Sequence, residues 1–247
     1  MKSILVTGGS RGIGRAAAVL CGAQGWSVGV NYAGNARAAE ATAEAVRQAG
    51  GKAVTIQGDV AEEADVIRMF AETAQKFGGI DGVVVNAGIA APAARLADVD
   101  LARMKRIFDV NVLGAYLCAR EAARIMPKDR GGRGGSVVLI SSVAARLGSP
   151  GMYVDYAGSK AAVDTLAIGL ARELAGQGVR VNAVRPGLIE TEIHAAGGDA
   201  GRAQRLGATT PIGRAGTAEE VAAAIIWLLS DAASYTTGAV LDVSGGR

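Results

Sequence analysis

Tyr156 and Lys160 stand four residues apart in the stretch "DYAGSKAAVDTL", residues 155–166. Ala157, Ala161, Ala162 and Leu166 favour a helix there, no proline interrupts it, and a helix would carry the pair on one face. A free phenol has a pKa of about 10, too high for a base at neutral pH. A neighbouring ammonium favours the phenolate and lowers that value, so the pair could exchange a proton with an oxygen near neutrality. The same spacing also describes two packing or solubilising residues on a helix surface. On these two residues alone, that plainer reading is favoured.

A second candidate lies at the start of the chain. "TGGSRGIG", Thr7 to Gly14, follows a short apolar run and opens a helical pattern. Gly8, Gly12 and Gly14 permit a tight turn and a close approach of the backbone to a ligand. The helix start, with Ser10, Arg11 and Ile13 in the same loop, offers free N–H groups and a positive dipole end to a phosphate. Its position after a first buried strand gives the pattern weight, although the spacing G-x-x-x-G-x-G differs from the commoner G-x-G-x-x-G. Dinucleotide sites often carry an acid about 20 residues further on, to hold the ribose 2′-hydroxyl. Here the second strand ends Val30-Asn31-Tyr32-Ala33, without a carboxylate, so Asn31 and Tyr32 take the adenosine end. Arg11 in the loop and Arg37 beyond it suit a 2′-phosphate, which favours NADP(H) over NAD(H). For Arg37, a solvated helix position is an equal reading.

These elements need a frame. Short runs rich in Val and Ile, at 3–8, 26–32, 52–57, 82–88, 136–141, 179–186 and 239–244, alternate with amphipathic stretches at 12–24, 35–49, 62–77, 100–126, 154–175 and 218–230. Near-continuous apolar strands imply burial on both faces, as in a parallel sheet. The alternation predicts an α/β fold, a doubly wound seven-stranded parallel sheet with helices on both faces. No linker or repeat divides the chain, so residues 1–247 are read as one domain. Residues 188–216 are rich in Gly, Ala and Thr, lack a period, and are read as a lid over the site.

Bulk properties narrow the function. Net charge is +3, basic residues are scattered apart from "KDRGGR" at 128–133, and aromatics are 4%. A nucleic-acid surface would need a concentrated basic face or stacking rings, so no nucleic-acid partner is expected. Two cysteines, Cys21 and Cys118, make no disulfide framework and are read as buried thiols in a reducing compartment. No apolar run reaches a membrane span and the N-terminus does not read as a signal peptide, so the expectation is a cytoplasmic protein without membrane association. One histidine, His194, and no Cys/His cluster argue against a metal.

Seven motifs now stand in order: "TGGSRGIG", "GDV" (58–60), "NAG" (86–88), "NVLG" (111–114), "ISS" (140–142), "YAGSK" (156–160) and "RPG" (185–187). Together they resemble the short-chain dehydrogenases/reductases, from residue 3 to about residue 246. "LISSVAARLGSPGMYVDYAGSKAAVDTL" and "VRPGLIETEIHA" are most similar to bacterial oxidoreductases of the glucose 1-dehydrogenase-like kind. The resemblance implies a single-domain Rossmann fold and hydride transfer between a nicotinamide and a carbonyl or secondary alcohol. It implies Tyr156 as acid/base and Lys160 as the group that lowers its pKa and holds the nicotinamide ribose. Ser142 would bond the substrate oxygen and Asn111 would hold a relaying water. Ser142 is chosen over Ser141 because the family uses the second serine of such a pair.

Asp59 and Val60 resemble the pair that reads adenine, and Asn86, Ala87 and Gly88 the turn along the adenosine ribose. Pro186, Gly187, Ile189 and Thr191 resemble the segment at the carboxamide and diphosphate, and Thr7 is expected to tie the glycine loop down. Asp59 as a helix N-cap and Pro186-Gly187 as a strand-ending turn remain open. Val85 stands where the family often has an asparagine, and is expected to alter a sheet-edge hydrogen bond. The serine-to-tyrosine spacing is one longer than in many relatives, the extra residue falling in "RLGSPGMYVD" beside the substrate.

Ala144, Arg146, Met152, Tyr153, Gly187, Leu188 and His194 are expected on the substrate side, suiting a modest ketone, aldehyde or sugar-like alcohol. A 3-oxoacyl group on an acyl carrier protein is the alternative, with Arg124, Lys128, Arg130, Arg133 and Arg172 as a basic docking surface or, preferred, simply a solvated one. A non-catalytic NADP(H)-binding redox sensor or scaffold ranks lower, because all four catalytic candidates are present. The resemblance further implies a homotetramer, and an apolar last helix and strand would leave a sheet edge to cover.

Overall fold

The computed structural model describes residues 1–192, 198–199 and 201–247. Seven strands, β1 (Ser3–Val6), β2 (Ser27–Tyr32), β3 (Lys52–Gln57), β4 (Gly82–Val85), β5 (Gly135–Ile140), β6 (Val179–Pro186) and β7 (Val240–Val243), form one sheet in the order β3-β2-β1-β4-β5-β6-β7. All pairings are parallel. The helices are α1 (Gly12–Ala23), α2 (Ala36–Gln48), α3 (Glu63–Phe77), α4 (Leu101–Phe108), α5 (Gly114–Ile125), α6 (Ala144–Leu147), α7 (Val154–Leu174), α8 (Arg202–Gly207) and α9 (Ala218–Leu229).

The apolar strands follow from burial on both faces. Leu5, Val83, Leu139 and Val181 join Met69 and Phe70 of α3 in one core. Their neighbours Ile4, Val6, Val84 and Val138 point the other way, into a core with Ala17 of α1 and Ile225 of α9. Asn35 caps α2, Asp100 caps α4, and a Thr217–Glu220 capping box starts α9. Strand order reverses between β1 and β4, the crevice where doubly wound sheets take their ligands.

Three expectations change. The stretch 100–126 is two helices, α4 and α5, joined by a π-helical turn at Asp109–Leu113. Its wider turn carries Asn111 inward, to 1% exposure. The run 82–88 leaves the sheet after Val85, which pairs in register with Leu139 and is buried, so the altered position lies inside the sheet and not at its edge. The stretch 188–216 holds α8, a parallel bridge between Ile189 and Gly216, and a small core of Leu188, Ala203 and Ala215 with Leu206 packed against it. His194 lies outside the described residues. Cys21 in α1 and Cys118 in α5 are both buried, and burial pushes both thiols up, Cys118 to about 12.

Candidate active site

A cavity of about 550 Å³ runs along the C-terminal ends of the strands. The glycine loop forms its floor at one end. Gly8 and Gly12 have φ of +61° and +53°, a region that favours glycine. Two asparagines clamp the loop. Asn31 Oδ1 accepts from the Gly8 amide at 3.0 Å, and its Nδ2 donates to the carbonyls of Gly58 (3.0 Å) and Ile56 (3.2 Å). Just past β4, Asn86 Nδ2 donates to the carbonyls of Thr7 (2.9 Å) and Gly8 (3.1 Å). Thr7 completes the tie, its hydroxyl accepting from the amides of Asn86 (2.9 Å) and Ala87 (3.0 Å). Gly14 is off the cavity wall: a side chain there would collide with the Gly8 carbonyl and the Asn86 amide. Helix α1 starts at this loop with no side-chain cap from Arg11, leaving its first amides available to an acceptor.

Gly8, Ser10, Arg11, Gly12 and Ile13 line this end, with Asn31, Tyr32, Asp59 and Val60 beyond and Asn86, Ala87 and Gly88 across from them. The polar atoms of Asn31 are already engaged in the clamp. Ala38 lines the cavity, whereas Arg37 does not. Asp59 does not cap α3, whose cap is Glu62; its Oδ1 accepts from the Ala61 amide (3.0 Å) and its Oδ2 pairs with Arg106 (3.2 Å). Val60 is buried against Gly114, where any Cβ would press on it.

The opposite end carries the titratable groups. Ser141 turns inward, its hydroxyl donating to the Lys160 carbonyl at 3.0 Å. Ser142 and Tyr156 both line the cavity, and the Ser142 hydroxyl accepts from the Ala144 amide at 3.1 Å. Burial raises the Tyr156 phenol above its ordinary value, the Ser142 hydroxyl nearby opposing. The expected lowering by Lys160 is not seen: desolvation sets the direction of the shift. Lys160 Nζ donates to the Ile140 carbonyl at 2.8 Å and lies 5.8 Å from the Tyr156 ring centre. Burial pushes its ammonium down to about 8, against the pull of Asp164 one turn on. Asp164 in turn accepts from Arg185 Nε (3.0 Å) and Nη2 (2.8 Å).

Asn111 stands behind the wall. Its Oδ1 accepts from the Ile89 amide (2.8 Å), and its Nδ2 donates to the Ile89 carbonyl (2.9 Å) and to Ser159 Oγ (3.1 Å). Gly88 separates it from Lys160: a Cβ there would lie 3.2 Å from Lys160 Nζ and 3.3 Å from Asn111 Oδ1.

Pro186, Gly187, Ile189 and Thr191 close the cavity from β6 onward, the Gly187 amide bonding the Val243 carbonyl at 2.9 Å. Of the residues expected on the substrate side, Ala144, Tyr153, Gly187 and Leu188 line it. Arg146 instead pairs with Asp242 at 3.0 Å, and Met152 is outside the lining. Leu147, Ser149 and Arg202 line it without having been foreseen. No sequence period marked Arg202, because it belongs to the aperiodic stretch.

Comparison with known proteins fits this geometry. A family model described as enoyl-(acyl carrier protein) reductase matches residues 8–247. The chain is 50% identical to an uncharacterised oxidoreductase of Escherichia coli K12, over the whole of both chains. It is 41% identical to the 2,5-dichloro-2,5-cyclohexadiene-1,4-diol dehydrogenase of Sphingobium indicum, over 99% of this chain and 96% of that one. A crystal structure of a short-chain type dehydrogenase/reductase from Mycobacterium marinum matches with a TM-score of 0.92 at 36% identity, over 99% of this chain and 94% of the other. The chain belongs to the short-chain dehydrogenase/reductase family. As an oxidoreductase of that family it works with a nicotinamide cofactor. The residues present fit such a group. The uncapped α1 start and the glycine floor suit a diphosphate, and the cavity continues from there to Ser142, Tyr156 and Lys160. Among the described residues no helix is long and apolar enough to cross a membrane, and no group of His, Cys, Asp and Glu is placed to hold a metal.

Proposed function

We propose that this short-chain dehydrogenase/reductase is NADP(H)-dependent and interconverts a small carbonyl compound and its secondary alcohol. The observation that carries the reading is the convergence of Ser142, Tyr156 and Lys160 on the far end of a cavity floored by the glycine loop. The bound cofactor supplies or accepts the hydride. Ser142 and Tyr156 then donate hydrogen bonds to the substrate oxygen as charge grows on it, and Tyr156 passes the proton. Lys160 sits below the phenol as a cation and orients the ribose. Asn111 holds the Gly88–Ile89 turn and is placed to support a water toward Lys160.

NADP(H) is favoured over NAD(H) because the lining from Asn31 to Ala38 contains no carboxylate and Arg11 lines the same end. Arg37 adds no support, being off the lining. Residues 1–247 act as one domain, with the stretch 188–216 as the lid. A homotetramer is supported by apolar surface left uncovered: Trp227 and Tyr235 beside edge strand β7, and Leu101, Phe108 and Tyr116 on α4 and α5. For the alternative, a 3-oxoacyl-acyl carrier protein substrate, the basic docking surface is weakened by internal pairing. Arg124 is bonded to Glu121 and Arg133 to Asp81.

The test follows loss of NADPH absorbance over a panel of ketones, aldehydes, diketones and a 3-oxoacyl thioester, with glucose run oxidatively, each positive repeated with NADH. Turnover faster with NADPH supports the reading. NADPH binding without turnover of any member favours a sensor or scaffold, and a rate confined to the thioester favours the acyl alternative.

A further inference from the structure

The substrate end of the cavity has a charge that the proposed chemistry does not use. Arg202, the first residue of α8, lines it half-buried. Its guanidinium carbon lies 5.1 Å from the centre of the Tyr153 ring, three residues before Tyr156. Tyr153 and Tyr156 both line the cavity, so the cation is fixed close to the reacting centre. Stacking occupies the face of a guanidinium and leaves its N–H edge free, the edge that takes a carboxylate or phosphate two-pronged. The one edge contact here is Nη2 to Met152 Sδ at 4.0 Å, a weak acceptor.

No ion pair joins Arg202 to a carboxylate among the described residues. The two acids of the cavity lining lie at the other end. Asp59 is paired with Arg106, and Glu192 reaches toward Gly12. Asp199, near Arg202 in sequence, is held by Arg205 at 3.0 and 2.6 Å. Residues 193–197 and 200 include no acid. Ala144, Leu147 and Leu188 line the same cavity, with Ser149 and Arg247 also in its wall. A half-buried cation attracts an anion more strongly than one in open water does.

We propose that Arg202 makes the outer end of this cavity a receptor for an anionic group, so that the substrate is a carbonyl compound or alcohol bearing a carboxylate or phosphate. The inference rests on the oxidoreductase reading and adds the substrate class to it. The anion takes no part in the bond changes; it holds the reacting carbon in place. Arg202 is a specificity residue, and Tyr153 is its support.

The experiment compares matched pairs: acetoacetate and levulinate against their methyl esters, and dihydroxyacetone phosphate against dihydroxyacetone. It measures kcat/KM for the wild type, Arg202→Met and Arg202→Lys. The acid or phosphate should be preferred in at least one pair, and Arg202→Met should cut that preference about ten- to a hundredfold, through KM. Arg202→Lys should restore part of it. The carboxylate and phosphate pairs show which anion the site takes. Turnover of the neutral members without preference for their charged partners, or a preference untouched in Arg202→Met, overturns the proposal and leaves the oxidoreductase reading intact. Should no member turn over, the NADPH-saturated enzyme is titrated calorimetrically with levulinate and with dihydroxyacetone phosphate. Binding lost in Arg202→Met supports the receptor, and equal or absent binding overturns it. Failure to oxidise or reduce any carbonyl compound or alcohol strikes the parent reading instead.

Discussion

The two ends of the cavity are built in opposite ways. At the glycine end, short polar bonds lock backbone to backbone: Asn31, Asn86 and Thr7 between them satisfy carbonyls and amides at the ends of three strands, β1, β3 and β4. At the substrate end the wall is a helix turn, a short helix and residues of the stretch after β6. Beyond Ser142, Tyr156 and Lys160, its polar contact is a cation stacked on a ring. The first end is rigid because each buried polar group has a partner that would be costly to lose. The second is adaptable because few bonds fix it. An enzyme that keeps one cofactor and meets a variable substrate profits from that division.

The sharpest way to break the comparison is to strike the chemistry between the two ends. Tyr156→Phe should lower kcat by about two to four orders of magnitude, with NADPH affinity retained in a fluorescence titration. If the variant stays active, the proton passes elsewhere. Tyr153→Phe keeps the ring that carries Arg202 and should leave kcat within a few-fold, so the pair tests which of the two phenols is chemical.

Next in size is the clamp. Asn31→Ala removes bonds to Gly8, Ile56 and Gly58, and should cost about 1–3 kcal/mol in urea unfolding while weakening NADPH binding. Ser149→Ala, at the loose end, should leave stability within about 0.5 kcal/mol. Equal losses would remove the distinction between the ends.

A smaller effect separates two arginines. Arg11→Gln should reduce the NADPH-over-NADH preference about tenfold, the value of one charged hydrogen bond. Arg37→Gln should leave it unchanged, since only Arg11 lines the cavity. A ratio that responds to Arg37 instead would move the 2′-phosphate onto α2.

The smallest effect is a displacement on the pH axis. Lys160 is held at about 8, so it carries its charge below that pH and loses it above. A rate that needs the cation should fall as pH rises through 8. Asp164 pulls the value upward, and its carboxylate also neutralises Arg185. Asp164→Asn removes both supports, so the fall should begin at lower pH in a kcat/KM profile. An unmoved profile would show that Asp164 serves only to hold Arg185.

Much of this was readable before any coordinates. Buried strands announce themselves by unbroken Val and Ile, and a glycine loop between strand and helix has few other uses. Tyr156 and Lys160 came from helical spacing together with the resemblance. What stayed hidden depended on neighbours distant in sequence. Nothing local distinguishes Asn31 as a clamp, because its partners come from residues 8, 56 and 58. Arg37 and Ala38 differ by one step around a helix, and only packing decides which faces in. The lowered phenol expected from Lys160 ignored desolvation, whose size a spacing does not reveal. Arg202 lies where no period exists to read.

The π-helical turn at Asp109–Leu113 has one more consequence. Such a turn holds one residue more than an α-helical turn needs. Deleting a single residue between Phe108 and Gly114 would let α4 and α5 fuse into one regular rod. The rod would be the better helix, and its remaining residues would each shift by about a hundred degrees on one side of the cut. Asn111 would swing out from beneath the Gly88–Ile89 turn. The chain thus keeps a local imperfection as a kind of reading frame, and repairing it would leave a tidier protein with a misaligned site.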